Sequence, residues 1–275
     1  MTGQEELRHL VDSKAQLMIS EAYGVVSAGG RGVRLRPRTI EQPKPLLEIG
    51  SSKRPLMFWS MLPMILGGVC RFVVGLRYGA AKIIETFGGG EELSKQFGRR
   101  ITIDYVEEPK PLGRAGFIKY AIEKRVIDPS KPAVIFNASD ILRVNLRDLV
   151  RHYLWLSACH GCEVVQVYTS AFRASYGIGT LDPSTFRVTE FQEKPLRHDL
   201  ANTACYITHR RLQDFGQIER TPCNPEDELL PRWIGEQVIG AYVIPYDSFI
   251  SIKFEEDLSR VQSMDLEQYI ASAYD

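Results

Sequence analysis

The chain has 275 residues, 44% hydrophobic and 25% charged, a globular composition that excludes a disordered or fibrous chain. Its 34 Lys and Arg equal its 34 Asp and Glu, so no overall positive charge is available to hold nucleic acid, and no such partner is expected. Five cysteines at irregular spacing exclude a disulfide framework.

In chain order, residues 5–19 place Leu7, Leu10, Val11, Leu17 and Met18 at helical spacing. This predicts an amphipathic helix packed on the main domain or on a partner, and so one surface for a homo-oligomer. The expected division is a helical extension over residues 1–20 and one domain over 21–275. Residues 23–27, 71–76, 101–106 and 133–136 read as strands, alternating with helices over 55–66, 80–87 and 116–124. This βαβα order predicts an α/β fold with a mostly parallel sheet and helices on both faces. Residues 164–169, 177–181, 187–193, 203–208 and 238–244 are strand-like with fewer helices between them, which predicts mixed pairing in the second half. Cys159 and Cys162 form a C-x-x-C with no second ligand pair and read as a buried structural pair. The stretch from 55 to 70 carries no charge but contains Pro63, Gly67 and Gly68; it is too short and broken to cross a bilayer. The first twenty residues mix charges throughout and show no secretory signal. A cytoplasmic protein with no membrane partner is expected.

The chemistry follows the first strand, in Ala28-Gly29-Gly30-Arg31-Gly32-Val33-Arg34-Leu35-Arg36-Pro37. Three glycines allow close approach of backbone to a ligand and turn amide N–H groups toward a common point, which suits phosphate oxygens. Arg31, Arg34 and Arg36 add fixed positive charge. Lys44 stands between Pro43 and Pro45, which stiffen its mount. A dinucleotide fingerprint needs a third glycine where Leu35 stands, and a Walker loop needs a G-K-[ST] that is absent. A purely structural glycine turn has no need of three arginines.

These residues resemble the signature of the sugar-phosphate nucleotidyltransferases, A-G-G-x-G-x-R-L-x-P followed by P-K-P. The similarity continues in Pro111-Leu112-Gly113-Arg114-Ala115-Gly116, Ser139-Asp140-Ile141-Leu142, Tyr176-Gly177, Glu193-Lys194-Pro195 and Asn202-Thr203-Ala204-Cys205-Tyr206, and spans about residues 22–260. It implies a single Rossmann-like nucleotidyltransferase domain with a mixed, mostly parallel central sheet flanked by helices. It also implies a reaction: a nucleoside triphosphate and a sugar 1-phosphate give a nucleotide sugar and pyrophosphate. Two anions must meet in line, so positive charge and positioning should dominate.

The resemblance implies these roles. Ala28, Gly29, Gly30 and Gly32 cradle the triphosphate. Arg34 stabilises the α-phosphate and leaving pyrophosphate, and Lys44 bridges the reacting phosphates. Gly113, with Glu107 or Glu108, lines the base pocket. Asp140 holds Mg²⁺. Glu193 accepts from sugar hydroxyls, Lys194 grips the sugar phosphate, and Gly177 and Asn202 contact the sugar. The implied substrate pair is GTP with mannose 1-phosphate, or dTTP or UTP with glucose 1-phosphate; a guanine offers N–H donors to a glutamate, which favours GTP, and the sugar is left open.

The sequence departs from the family at a second metal-binding Asp in W-x-D-I-G-T-P-E-D-L. Here the segment is Phe249-Ile250-Ser251-Ile252-Lys253-Phe254-Glu255-Glu256-Asp257-Leu258. Ser251 takes the place of the Asp, and a hydroxyl is a poor substitute toward Mg²⁺. Asp247, four residues earlier, is a candidate replacement. Arg114, Ser139 and Ala204 replace Thr, Gly and Gly. The alternative reading is a catalytically weak homologue that binds a nucleotide sugar and regulates a partner.

Overall fold

The computed structural model describes residues 3–275; the first two residues of the expected extension lie outside it. Helix α1 (Gly3–Glu21) precedes β1 (Tyr23–Ser27), α2 (Leu56–Gly67), β2 (Arg71–Leu76), α3 (Ala80–Phe87) and α4 (Glu91–Phe97). Then come β3 (Thr102–Glu107), α5 (Gly113–Glu123), β4 (Ala133–Asn137), β5 (Asp140–Leu142) and α6 (Leu146–His160). The second half supplies β6 (Val164–Thr169), β7 (Ile178–Leu181), β8 (Val188–Gln192), β9 (Ala201–Thr208), α7 (Leu229–Gly235) and β10 (Ile239–Ile244). It ends with β11 (Phe249–Ser251), α8 (Glu255–Val261) and α9 (Leu266–Ala271).

Seven strands form one sheet in the order β10-β6-β9-β4-β1-β2-β3. Neighbours are parallel except where β9 meets β4 and β6, where they are antiparallel. The expected mixed, mostly parallel sheet is therefore present. Helices cover both faces, which is why the strands carry apolar residues in succession. Val26, Val74 and Phe136 belong to a core with Trp59 of α2. Val25, Val73 and Ile135 belong to a second core with Phe117 of α5 and Trp233 of α7.

Four departures from the sequence reading have local causes. Helix α1 forms, but Leu7, Leu10 and Leu17 are exposed. Its buried residues include Ala15, Met18 and Ile19, and Asp12 pairs with Arg151 of α6 at 2.7 Å. The apolar residues thus occupy two faces about a third of a turn apart, and only one meets the domain. Helix α6, not anticipated, buries Leu146, Leu149, Val150 and Tyr153 at i, i+3, i+4 and i+7. Its first amides are capped by the Asn145 side chain. Strands β7 and β8 form where expected, but as a separate exposed hairpin outside the main sheet.

The fourth departure concerns the C-x-x-C. Cys159 lies exposed on the last turn of α6, whereas Cys162 is buried after Gly161, whose left-handed backbone ends the helix. They are not a buried pair. Ellman's reagent should accordingly titrate Cys159 rapidly in the native protein. Cys162, Cys205 and Cys223, all buried, should react only on unfolding. Rapid reaction of Cys205 would contradict this packing.

Candidate functional site

Strand β1 sits between β2 and β4 and runs parallel to both. A crevice therefore opens at their carboxyl ends, where open α/β sheets bind ligands. It has a volume of about 680 Å³, within the range of small-molecule sites. Ser27 lines it from the end of β1 and Gly29, Gly30, Arg31 and Arg34 from the loop that follows, with Arg77 following β2 and Glu108 following β3. Because β9 is reversed, its first residues reach the same edge and contribute Asn202, Thr203 and Ala204.

Among the described residues, the loop after β1 leaves most of its backbone amides without acceptors. The Ala28 amide is not one of them, since it donates to the Gly75 carbonyl at 2.8 Å. That corrects the expectation for Ala28: its N–H completes the sheet. Among the described residues no acceptor engages the amides of residues 29–32. The Ser27 hydroxyl lines the crevice, buried and without a hydrogen-bond partner. Gly29 stands close to Glu108, since a Cβ there would lie 2.9 Å from Glu108 Oε1 and 3.3 Å from Arg77 Cβ. Gly32 has φ of 61°, and its carbonyl accepts from Thr39 Oγ1 at 2.9 Å. Arg31 and Arg34 reach the crevice, but Arg36 is exposed and outside it. The Arg34 guanidinium lies over the Phe254 ring, 5.6 Å from its centroid.

Lys44 lies in a short 3₁₀ turn between its two prolines and faces the same crevice. Its pKa is lowered to about 8, first by burial, opposed by the charge of Asp140 and assisted by Arg34 and Lys253. The choice between Glu107 and Glu108 is decided by alternation along the strand. Glu107 is exposed, whereas Glu108 lines the crevice and accepts from the Leu112 amide at 2.9 Å. Burial raises the Glu108 pKa, opposed by that hydrogen bond and by Arg77. Gly113 also lines the crevice, at the start of α5.

Asp140 opens β5 rather than ending the preceding strand, and is 5% exposed. It faces Ser251 across the β5–β11 pair. Ser251 Oγ donates to Asp140 Oδ1 at 2.7 Å, and Asn137 Nδ2 donates to Oδ2 at 2.9 Å. The expected Mg²⁺ would have to be held by this donor set. It offers one carboxylate with both oxygens already accepting from neutral donors, and Lys44 and Lys253 line the same crevice. Among the described residues no group of three His, Cys, Asp or Glu side chains could hold a metal. Asp247 does not compensate, because it pairs with Arg143 at 3.0 Å and lies outside the crevice. These residues do not fit a resident Mg²⁺, a hard ion that favours several oxygen ligands.

Asn202 also lines the crevice, together with Glu226, which the sequence reading missed. Glu226 accepts from Arg114 at 2.6 Å, Asn202 at 3.2 Å and Tyr206 at 3.1 Å. It comes from a loop near α7 with no recognisable motif, and only the fold brings it to the crevice. Gly177, Glu193 and Lys194 are placed elsewhere, on the exposed segment that carries the β7–β8 hairpin, and do not line the crevice. Gly177 and Glu193 do meet, since a Cβ on Gly177 would lie 2.8 Å from Glu193 Oε2. The segment pairs with itself and buries little apolar surface against the domain.

Comparison with known proteins agrees with this architecture. A mannose-1-phosphate guanyltransferase of Pichia angusta is 30% identical over 226 residues, 81% of this chain and 58% of that protein. A probable mannose-1-phosphate guanylyltransferase of Oryza sativa subsp. japonica is 26% identical over 224 residues, covering 80% and 58%. The chain thus spans a little over half the length of these curated relatives. The crystal structure of HddC from Yersinia pseudotuberculosis shares the fold with TM-score 0.62 at 23% identity, over 90% of this chain and 99% of that one. No helix among the described residues is long and apolar enough to cross a membrane. The nucleotidyl transferase family profile matches residues 23–227, from β1 to the Glu226 loop, and the chain belongs to that family.

Proposed function

We propose that the protein transfers a nucleotidyl group from a nucleoside triphosphate to a sugar 1-phosphate and releases pyrophosphate. The observation that carries this reading is the cradle itself: unengaged amides over residues 29–32 with Arg31, Arg34 and Lys44 around one crevice. In the reaction an oxygen of the sugar phosphate bonds to the α-phosphorus. The bond from that phosphorus to the bridging oxygen breaks, and its electron pair leaves with pyrophosphate. Arg34 and Lys44 lower the repulsion between the two anions and stabilise the departing charge. The amides fix the triphosphate in line. Glu108 faces the base, where its carboxylate suits the N1–H and N2–H₂ donors of guanine.

GTP with mannose 1-phosphate is the first pair to test, because of Glu108 and the names of the relatives. Asn202 and Glu226 supply polar contacts for the sugar. Gly177, Glu193 and Lys194 stand apart from them on the exposed hairpin segment. Five free cysteines favour a reducing cytoplasm. A second reading, a nucleotide-sugar-binding regulator, is favoured by Ser251 on Asp140. The test is pyrophosphate release from GTP, UTP and dTTP, each with mannose or glucose 1-phosphate. Release is expected to be fastest with GTP and mannose 1-phosphate. No release from any pair, with tight binding of a nucleotide sugar, would establish the regulator instead.

A further inference from the structure

We propose that Lys253 is a polyphosphate-binding residue that supplies fixed positive charge at the Asp140 edge of the crevice, and that Asp140 holds no divalent ion of its own before nucleotide arrives. The inference rests on reading the crevice as a triphosphate site.

The geometry starts from β11. Antiparallel pairing sets Ser251 opposite Asp140, and the two bond directly, so the carboxylate is held by a hydroxyl and an amide. Side chains two apart share a face of extended chain. Ile252 points into the core and is fully buried, whereas Ser251 and Lys253 both line the crevice. Asp257 Oδ2 fixes the backbone of Lys253 by accepting from the amides of Lys253 and Phe254, each at 2.8 Å. Phe254 in turn supports Arg34. One pinned segment therefore presents Lys253 and braces Arg34, and both lie near enough to Lys44 and the buried Asp140 carboxylate to act on Lys44. A cation entering between Asp140 and Ser251 would meet two hydrogen bonds already made and these like charges. A phosphate oxygen would meet three partners of opposite charge.

Two titrations test this. In calorimetry with EDTA present, the wild-type protein should bind inorganic tripolyphosphate. Lys253→Gln should weaken that binding about tenfold or more, the size of one lost charge-assisted hydrogen bond, and Lys253→Arg should restore most of it. In electron paramagnetic resonance without nucleotide, the wild type should leave Mn²⁺ free, and Ser251→Asp combined with Lys253→Gly should bind one ion. The inference is overturned if the wild type does not bind tripolyphosphate, or if Lys253→Gln binds it as tightly as the wild type. It is also overturned if the wild type binds one Mn²⁺ at micromolar affinity and Asp140→Asn abolishes that binding. Neither titration reads pyrophosphate release, so failure of the transferase reading and failure of this inference are separately visible.

Discussion

Lys44→Ala is expected to reduce pyrophosphate release by roughly 10²–10³-fold, the usual loss when one preorganised charge-stabilising donor is removed. The prolines on either side hold the lysine in its turn. The folded state should not suffer. Burial lowers the Lys44 pKa from 10.5 to about 8, which means that the charge is less comfortable in the protein than in the unfolded chain. Between those values the unfolded chain keeps a proton that the folded one has released. This group therefore adds stability as pH rises from about 8 to 10.5, and Lys44→Ala should remove that rise without lowering the melting temperature at pH 7.

Ligand binding follows the opposite sign. A polyphosphate stabilises the charged lysine, so affinity for tripolyphosphate should be highest below about pH 8. Above it, affinity should fall by at most about tenfold per pH unit. Calorimetry in buffers of different ionisation enthalpy would show proton uptake on binding in that range. A flat affinity from neutral to alkaline pH, or an alanine variant as active as the wild type, would remove Lys44 from the site.

Gly113→Ala should give the larger loss of stability. Gly113 has φ of 74°, and a Cβ there would stand 2.3 Å from the Cys223 carbonyl oxygen. That carbonyl cannot simply retreat. It accepts from the amides of Ala115 at 3.0 Å and Gly116 at 3.2 Å, and the Cys223 amide donates to Leu112 at 2.8 Å. Left-handed strain of about 1–2 kcal/mol adds to the loss of up to three hydrogen bonds, each about 1 kcal/mol. A cost of roughly 3–5 kcal/mol corresponds to a fall in melting temperature of roughly 10 °C. Because Leu112 also donates its amide to Glu108, the variant that folds should bind its triphosphate more weakly. A melting temperature equal to the wild type's would show that the loop from Cys223 yields freely.

The strands of the first half were legible because parallel strands buried on both faces show as short apolar runs, as in residues 23–27 and 71–76. Helix α6 was legible in principle, through Leu146, Leu149, Val150 and Tyr153, but its many polar residues between masked the stripe. The glycine–arginine loop could be read locally, since Gly29, Gly30, Arg31, Gly32 and Arg34 are consecutive or nearly so. Glu226 could not, because it meets Arg114 and Asn202 only after three distant stretches of chain have folded together.

Sequence alone therefore determined the βαβα order, the glycine–arginine loop, Lys44 on its stiff mount and the absence of the late aspartate. These depend on neighbours along the chain, whose preferences and spacing are written in order. Tertiary structure decided the rest. It used the Ala28 amide in the sheet, turned Glu108 inward and Glu107 outward, left Glu193 and Lys194 on an exposed segment, and set Ser251 and Lys253 beside Asp140. Such outcomes follow from strand register and burial, which are settled between residues from about thirty to more than a hundred positions apart and leave no local trace.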